Sequence, residues 1–425
     1  MNEPRPLKVA LVCHSDLLGG AAVVTYRLMQ ALRTEGVDAR MIVYTRMSDN
    51  TPEMPVAQMG PRWKRGLKFV GERLPIFLNN GLSRANLFKV STAAMGMPVD
   101  RHPWVREADI VNLNWINQGL MSLRGIRRIA AAGKPIVWTM HDMWCLTGIC
   151  HHAYGCRRFE RQCGQCPMLK GSFEGDLSHR VWRRKHRLYN DVPIRFVAVS
   201  SWLRERARQS SLLHNANIDV IPNAFPIETF PTRPYENFPS FDPIPQRRRI
   251  VMGAARLDDP IKGLDMAVDA LNYVFDNWPD VANDTGIILF GELRDRRILD
   301  RLRFPYLYMG RITDPKLLRQ FYASSEAVIS ASHFETLPGT LIEGQAAGCL
   351  PVTFGRGGQR DIVTHLKDGY IAEERTPEAL AEGIRWALAQ KQDREALHRS
   401  VEERFSSRRV ATSYIGLYRS LLQQS

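Results

Sequence analysis

The chain has 425 residues, 44% of them apolar, a formal net charge of +14 and seven cysteines. That length exceeds what a single core usually organises, so two α/β domains of about 200 residues each are expected, with apolar residues enough for both. No apolar run is long enough to span a bilayer, and the one after Leu7 stops at His14, too short for a signal-peptide core. The cytosol is the expected compartment, with free thiols or metal ligands rather than a disulfide framework.

The positive surplus calls for an anionic partner, and nucleotide phosphates, anionic lipid and nucleic acid all qualify. In chain order, Leu7 to His14 reads as a buried parallel strand, followed by Gly19-Gly20 and a helix with Val24, Leu28, Ala31 and Leu32 on one face. Gly36 stops that helix and Ala39 to Thr45 is the next strand, a βαβ opening. Arg62 to Leu74 sets Trp63, Leu67, Val70 and Leu74 on one helical face among Arg62, Lys64, Arg65, Lys68 and Arg73. That composition fits an interfacial helix, or equally a helix packed on its own domain. Strands are expected at Ile110 to Leu113, Ile136 to Met140, Phe196 to Val199 and Val220 to Ile221. Between Phe225 and Gln246, Pro226, Pro231, Pro234, Pro239, Pro243 and Pro245 interrupt all periodicity, as in an interdomain linker.

A second α/β series follows, with strands at Arg249 to Ala254, Ile287 to Phe290, Leu307 to Gly310, Ala327 to Ser330 and Leu350 to Thr353. Asp314-Pro315 caps a helix, and Pro377 to Gln390 and Asp393 to Tyr418 read as the last two helices. The expected organisation is an N-terminal Rossmann-like domain over 1–225, with a Cys-rich insert at about 145–170. A linker over 226–246, a C-terminal Rossmann-like domain over 247–405 and a C-terminal helix over 406–425, crossing back to the first domain, complete it. Two doubly wound domains facing a central cleft are the fold class, with ligands at the carboxyl ends of the strands.

Candidate chemistry sits on those strand ends. Glu335 falls in the loop after the strand Ala327 to Ser330, and Glu343 inside the helix that starts past Pro338-Gly339, a placement that argues against the two flanking one glycosidic bond as a glycosidase pair would. The helix start at Gly339-Thr340 instead offers backbone amides to a phosphate, while each carboxylate accepts from sugar hydroxyls. Arg256 and Lys262, six residues apart after the first strand of the second series, suit a diphosphate; the competing reading is a surface ion pair of Arg256 with Asp258 or Asp259. Gly19 and Gly20 open a helix and would let phosphate or sugar approach its amides, although their spacing is not that of a dinucleotide site. His141 ends the strand Ile136 to Met140, with Asp142 beside it and Asn114-Trp115-Ile116-Asn117 after the neighbouring strand. Cys150, Cys156, Cys163 and Cys166, the last two a CxxC knuckle, have the makeup of a structural zinc set, with His151 or His152 near enough in sequence to replace one sulfur; four unligated thiols are the alternative.

These motifs, in this order, resemble glycosyltransferase family 4, the retaining enzymes of the two-Rossmann-domain GT-B type. The resemblance implies Glu335 on the donor sugar, Glu343 on its ribose, Arg256 and Lys262 on the diphosphate, Pro338, Gly339 and Thr340 at the phosphate-binding helix start, Gly19 and Gly20 on the donor side and His141 in the active site. Many members carry a short Gly-rich stretch where this chain has Thr336-Leu337-Pro338, and Pro338 removes one amide. The Cys-rich insert after His141-Asp142-Met143-Trp144 is similar to that of bacterial exopolysaccharide enzymes of the colanic acid type.

The function so implied is retaining transfer of a sugar from a UDP- or GDP-sugar to a saccharide or lipid-linked saccharide in surface polysaccharide synthesis. It would run at the cytoplasmic face of the inner membrane, with no catalytic metal and no nucleic acid. A nucleotide-sugar epimerase of the same architecture and a zinc-knuckle nucleic-acid binder are the other readings.

Overall fold

The structure is a computed structural model that describes residues 5–235 and 244–424. Pro239 and Pro243 of the expected linker lie outside the described residues. The chain divides into two compact units, one of residues 1–224 with 407–425 and one of residues 225–406.

The first unit is built on strands β1 (Lys8–Ser15), β2 (Asp38–Thr45), β3 (Val56–Gln58), β4 (Ile110–Leu113), β5 (Ile136–Met140), β6 (Ile194–Ala198) and β7 (Ile218–Val220). Its helices up to residue 224 are α1 (Gly20–Thr34), α2 (Arg62–Asn79), α3 (Pro103–Glu107), α4 (Leu123–Ala131), α5 (Leu177–Asp191) and α6 (Ser201–Gln209). The strands form one parallel sheet in the order β3-β2-β1-β4-β5-β6-β7. Every residue of β4 and β5 is buried, the signature of a sheet covered on both faces. Local signals set the helix starts, as Ser122, Asp176 and Ser200 cap α4, α5 and α6 by accepting first-turn amides.

The second unit holds β8 (Arg248–Arg256), β9 (Thr285–Glu292), β10 (Tyr306–Tyr308), β11 (Ala327–Ser330), β12 (Leu350–Phe354) and β13 (Tyr370–Ala372). Among them run α7 (Leu264–Asn277), α8 (Pro279–Ala282), α9 (Pro315–Ala323), α10 (Gly339–Ala346), α11 (Pro377–Ala389) and α12 (Arg394–Phe405). This sheet is also parallel, in the order β10-β9-β8-β11-β12-β13.

In both sheets the strand order reverses beside the first strand, between β1 and β4 and between β8 and β11. Crevices open at the carboxyl ends of strands at such points. The ends of β1, β4, β8 and β11 are therefore where ligand-binding side chains are to be sought in each unit.

Two expectations are corrected. The single helix expected over Asp393 to Tyr418 is two, α12 and α13 (Ser407–Gln424), because Ser406 takes an extended conformation with ψ 148°. Phe225 N donates to Phe405 O at 2.9 Å, so the residue that enters the second unit is tied to one that leaves it. Helix α13 packs on α1 in the first unit's core through Val410, Ala411, Tyr414, Leu417 and Tyr418. The Pro-rich stretch up to Tyr235 is no free linker either. Ile227 and Phe230 are buried, Phe230 lies 6.4 Å from Tyr322, and Arg394 Nε donates to Thr232 O, all within the second unit.

Candidate active site

In the first unit, β1, β4 and β5 bring a polar and aromatic cluster together. His141 follows β5, and its Nε2 hydrogen-bonds Asn114 Oδ1 at 2.9 Å. Burial lowers the His141 pKa to about 4, so the ring is neutral at pH 7 and serves as a hydrogen-bonding group rather than a cation. Asp142 accepts from Trp115 Nε1 at 2.8 Å and from the Trp144 amide, and bonds His151 Nδ1 at 2.6 Å. Burial works against that carboxylate, but the His151 ring outweighs it and holds the Asp142 pKa at about 2.

His151 is bonded on its other side too, Nε2 to Ser91 Oγ at 3.0 Å, and Ser91 accepts from Arg73 Nη2. Both ring nitrogens are thus engaged, which removes His151 as a replacement for a cysteine sulfur. Trp115 stacks on His151 with 5.3 Å between ring centroids and meets His14 edge-on, while His14 stacks on Tyr44. His14, Ser91 and His151 were not legible as cluster members, because they come from three separate stretches that only the sheet order gathers.

Gly19 has φ +94°, a conformation that requires glycine, and immediately precedes α1. Gly20 needs no such angle, and a Cβ at either position would meet nothing within 4 Å. Packing therefore gives no reason for glycine at position 20. Asp16 anchors this loop by accepting from the amides of Met47 and Ser48 and from Ser48 Oγ.

In the second unit the loops after β8 and β11 meet. Lys262 Nζ donates to Glu335 Oε1 at 2.5 Å, Ser332 Oγ donates to the same oxygen at 2.9 Å, and the His333 amide donates to Ile261 O. Two residues assigned from separate motifs are therefore in contact. Arg256, by contrast, lies against its own loop, 3.2 Å from Asp258 and 3.3 Å from Asp259, the ion pairs weighed above as the competing reading. These pairs are half-exposed, so screening leaves them weak and an anion can compete for the guanidinium.

Glu335 is further fixed by its backbone, whose carbonyl accepts from Gly358 N at 2.9 Å. Gly357 has φ +141°, and a Cβ there would stand 2.1 Å from Glu335 O, so only glycine allows this approach. Pro338 is the N-cap of α10, whose first turn holds Gly339 and Thr340, and Glu343 lies within that helix. Three groups not singled out in the sequence join this end of the sheet. His333 has its pKa lowered by burial and then by the nearby Arg375 and Arg356, and burial and Arg356 likewise lower that of Arg375. Cations gathered against one another at strand ends attract an anion.

Cys150, Cys156, Cys163 and Cys166 all line one small cavity of about 20 Å³. Burial pushes the Cys163 thiol up to about 12 and the Cys166 thiol to about 11, and raises Cys150 as well. Among the described residues no group of three or more His, Cys, Asp or Glu is placed to hold a metal ion. The four sulfurs share that cavity, with Cys166 buried and the other three half-buried, but they are not arranged as a ligand set.

Residues 18–229 match Glycosyltransferase Family 4 and residues 234–404 match Glycosyl transferases group 1. The chain belongs to the family 4 type of glycosyltransferases. Among its relatives, spore coat protein SA of Bacillus subtilis is 27% identical over 184 residues, covering 40% of this chain and 48% of that protein. The D-inositol 3-phosphate glycosyltransferase of Jonesia denitrificans is 28% identical over 181 residues, covering 40% of this chain and 42% of that protein. The matched stretches thus span about half or less of these relatives. Among solved structures, Anabaena HepE in complex with UDP superposes with a TM-score of 0.63 at 16% identity, over 97% of this chain and all of that one. That likeness gives the family 4 chain the two-domain α/β GT-B fold. No helix among the described residues is long and apolar enough to cross a membrane.

Proposed function

We propose that the protein transfers a sugar from a nucleotide diphosphate sugar to a saccharide or lipid-linked saccharide acceptor, with retention at the anomeric carbon. The observation that carries this reading is the Lys262 to Glu335 contact at the switch point of the second sheet. It joins the group suited to a diphosphate to the group suited to the donor sugar. HepE was solved with UDP bound, which supports a nucleoside diphosphate as the donor's leaving group.

In this reading Arg256 and Lys262, with the α10 amides at Gly339 and Thr340, stabilise the charge that develops on the departing diphosphate. Pro338 shapes that turn without donating an amide. Glu335 orients the donor sugar and Glu343 accepts from the ribose. Gly19 and Gly20 give the donor close access to backbone, which accounts for a glycine at position 20 that packing does not demand. His141, neutral and tethered to Asn114, hydrogen-bonds sugar. The leaving diphosphate itself takes the proton of the acceptor hydroxyl, so no side chain is assigned as general base. The Cys-rich insert, similar to that of exopolysaccharide enzymes, supports an acceptor in bacterial surface polysaccharide synthesis on the cytoplasmic side.

The test is turnover with a panel of UDP- and GDP-sugars and saccharide acceptors. Lys262→Ala and Glu335→Ala should each lose about 10²-fold or more in kcat/KM while keeping the wild-type unfolding midpoint. Wild-type turnover in both variants would overturn the site, and an isomerised donor in a mixture lacking acceptor would mean an epimerase instead.

A further inference from the structure

The loops after β12 and β13 carry two arginines that the proposed transfer leaves without a role. Arg356 follows β12 and is exposed, and Arg375 follows β13 and is half-buried. Both belong to the end of the sheet where Lys262 meets Glu335. Arg356 immediately precedes Gly357, whose backbone pairs with that of Glu335. Arg375 reaches back to the turn after Lys262, its Nη2 3.4 Å from where a Cβ on Gly263 would stand. His333 joins them: its amide donates to Ile261 O at 2.7 Å, and burial, then Arg375 and Arg356, lower the pKa of its ring.

What sets the two arginines apart is the lack of a counter-charge. Arg256 pairs with Asp258 and Asp259, Lys262 with Glu335, and Arg360 with Glu373 at 2.6 Å. Among the described residues neither Arg356 nor Arg375 has a carboxylate partner, and Arg375 Nε is buried without a hydrogen-bond partner. The Arg375 guanidinium rests instead against Phe354, 5.7 Å from the ring centroid, and burial and then Arg356 lower its pKa. Folding thus brings two like charges together, one of them partly out of water, at a cost that an anion between them would offset.

Sheet order points to the kind of anion. The carboxyl ends run β8, β11, β12 and β13 in that order. Lys262, after β8, is the group suited to a diphosphate, and Glu335, after β11, the group suited to a sugar, so the ends of β12 and β13 come next beyond the sugar. Neighbouring strands stand about 4.8 Å apart, on the scale of one pyranose ring. A charge that meets Arg356 while the ring meets Glu335 therefore belongs to the sugar itself. The C6 carboxylate of a uronic acid is such a charge, planar and with two oxygens for guanidinium forks. A neutral hexose would leave both arginines uncompensated.

We propose that Arg356 and Arg375, with His333, form a carboxylate subsite beside Glu335, and that the donor is a nucleotide-activated hexuronic acid. This rests on the transferase reading and names the class of donor sugar that the reading leaves open.

The experiment is isothermal titration of the full chain near neutral pH with three sets of probes. These are UDP and GDP alone, the neutral donors UDP-glucose, UDP-galactose and GDP-mannose, and their uronates UDP-glucuronate, UDP-galacturonate and GDP-mannuronate. Wild type should bind at least one uronate about tenfold or more tightly than its neutral counterpart. Arg356→Gln and Arg375→Gln should each remove most of that preference, while the nucleotide alone binds within about twofold of wild type. Arg356→Gln changes an exposed side chain, so it carries the test should Arg375→Gln disturb folding. Equal affinity of wild type for neutral and uronate donors, or a preference kept by Arg356→Gln, would overturn the proposal. So would loss of affinity for the nucleotide alone by the same factor, since the arginines would then hold the diphosphate. In each of these results nucleotide binding remains and the transferase reading stands, whereas binding of no nucleotide and no nucleotide sugar would overturn both.

Discussion

His141 and Lys185 show how burial fixes what a side chain can do here. With its pKa lowered to about 4, His141 contributes no charge change near neutrality. Turnover is therefore expected to show no acidic limb from this ring between about pH 5.5 and 7.5, where an unperturbed histidine would titrate. A limb near pH 6.5 that vanishes in His141→Asn would contradict that assignment. Lys185 is fully buried, donates to Trp144 O and Thr147 O, and has its pKa lowered by burial to about 7. Unfolded, it titrates near about 10.4, so between about pH 7 and 10 the unfolded chain binds the extra proton and raising the pH favours folding. The unfolding midpoint of wild type minus that of Lys185→Met should rise from pH 7 to 9, and a flat or falling difference would refute it. Gly357→Ala should cost about 1–3 kcal/mol and weaken donor binding, because a Cβ there collides with the carbonyl of Glu335. The strand-end positions of Glu335, Lys262 and His141 were legible because each lies in a short motif next to a recognisable strand. Ser91, His333, Arg356 and Arg375 were not, since their proximity to the site is made only by strand order and loop packing.

Helix boundaries were legible where local chemistry writes them, as at the Asp314 cap before α9 and at Pro377, the first residue of α11. At Ser406 the domain division, with its separate C-terminal helix over 406–425, agrees with the break, whereas helical periodicity ran through it because no proline or glycine marks the extended residue. Nor could periodicity tell which face of α2 is inward. It reports that apolar and charged residues segregate, and the buried hydrogen bonds of Glu72 and Arg73 then decide the orientation. Helix α13 carries a consequence of its own. Tyr418 OH accepts from Asn112 Nδ2 at 2.6 Å, and Tyr414 OH bonds Thr139 Oγ1 at 3.0 Å, both deep in the first unit. Tyr418→Phe leaves Asn112 short of a partner and should cost about 1–3 kcal/mol in chemical denaturation. Ending the chain at Ser406 should remove amide-exchange protection from β1, β4 and α1 while β8, β9 and α7 keep theirs. Retained protection in β1 would show that α13 is dispensable to that core.

The two sheets share one design, a parallel order that reverses beside the first strand, and each gathers its unusual side chains at that reversal. The α/β alternation made this architecture legible, since buried parallel strands read as continuous apolar runs. What the alternation leaves open is chemistry, which rests on whether the Lys262 and Glu335 pair is a donor grip. Thermal unfolding with UDP- and GDP-sugars tests this most directly. At 100 times the dissociation constant a bound donor adds about 2.7 kcal/mol of stability. Wild type should gain a raised midpoint with at least one donor, and Lys262→Ala and Glu335→Ala should lose most of it. No shift with any nucleotide sugar, or the same shift in all three proteins, would contradict the assignment.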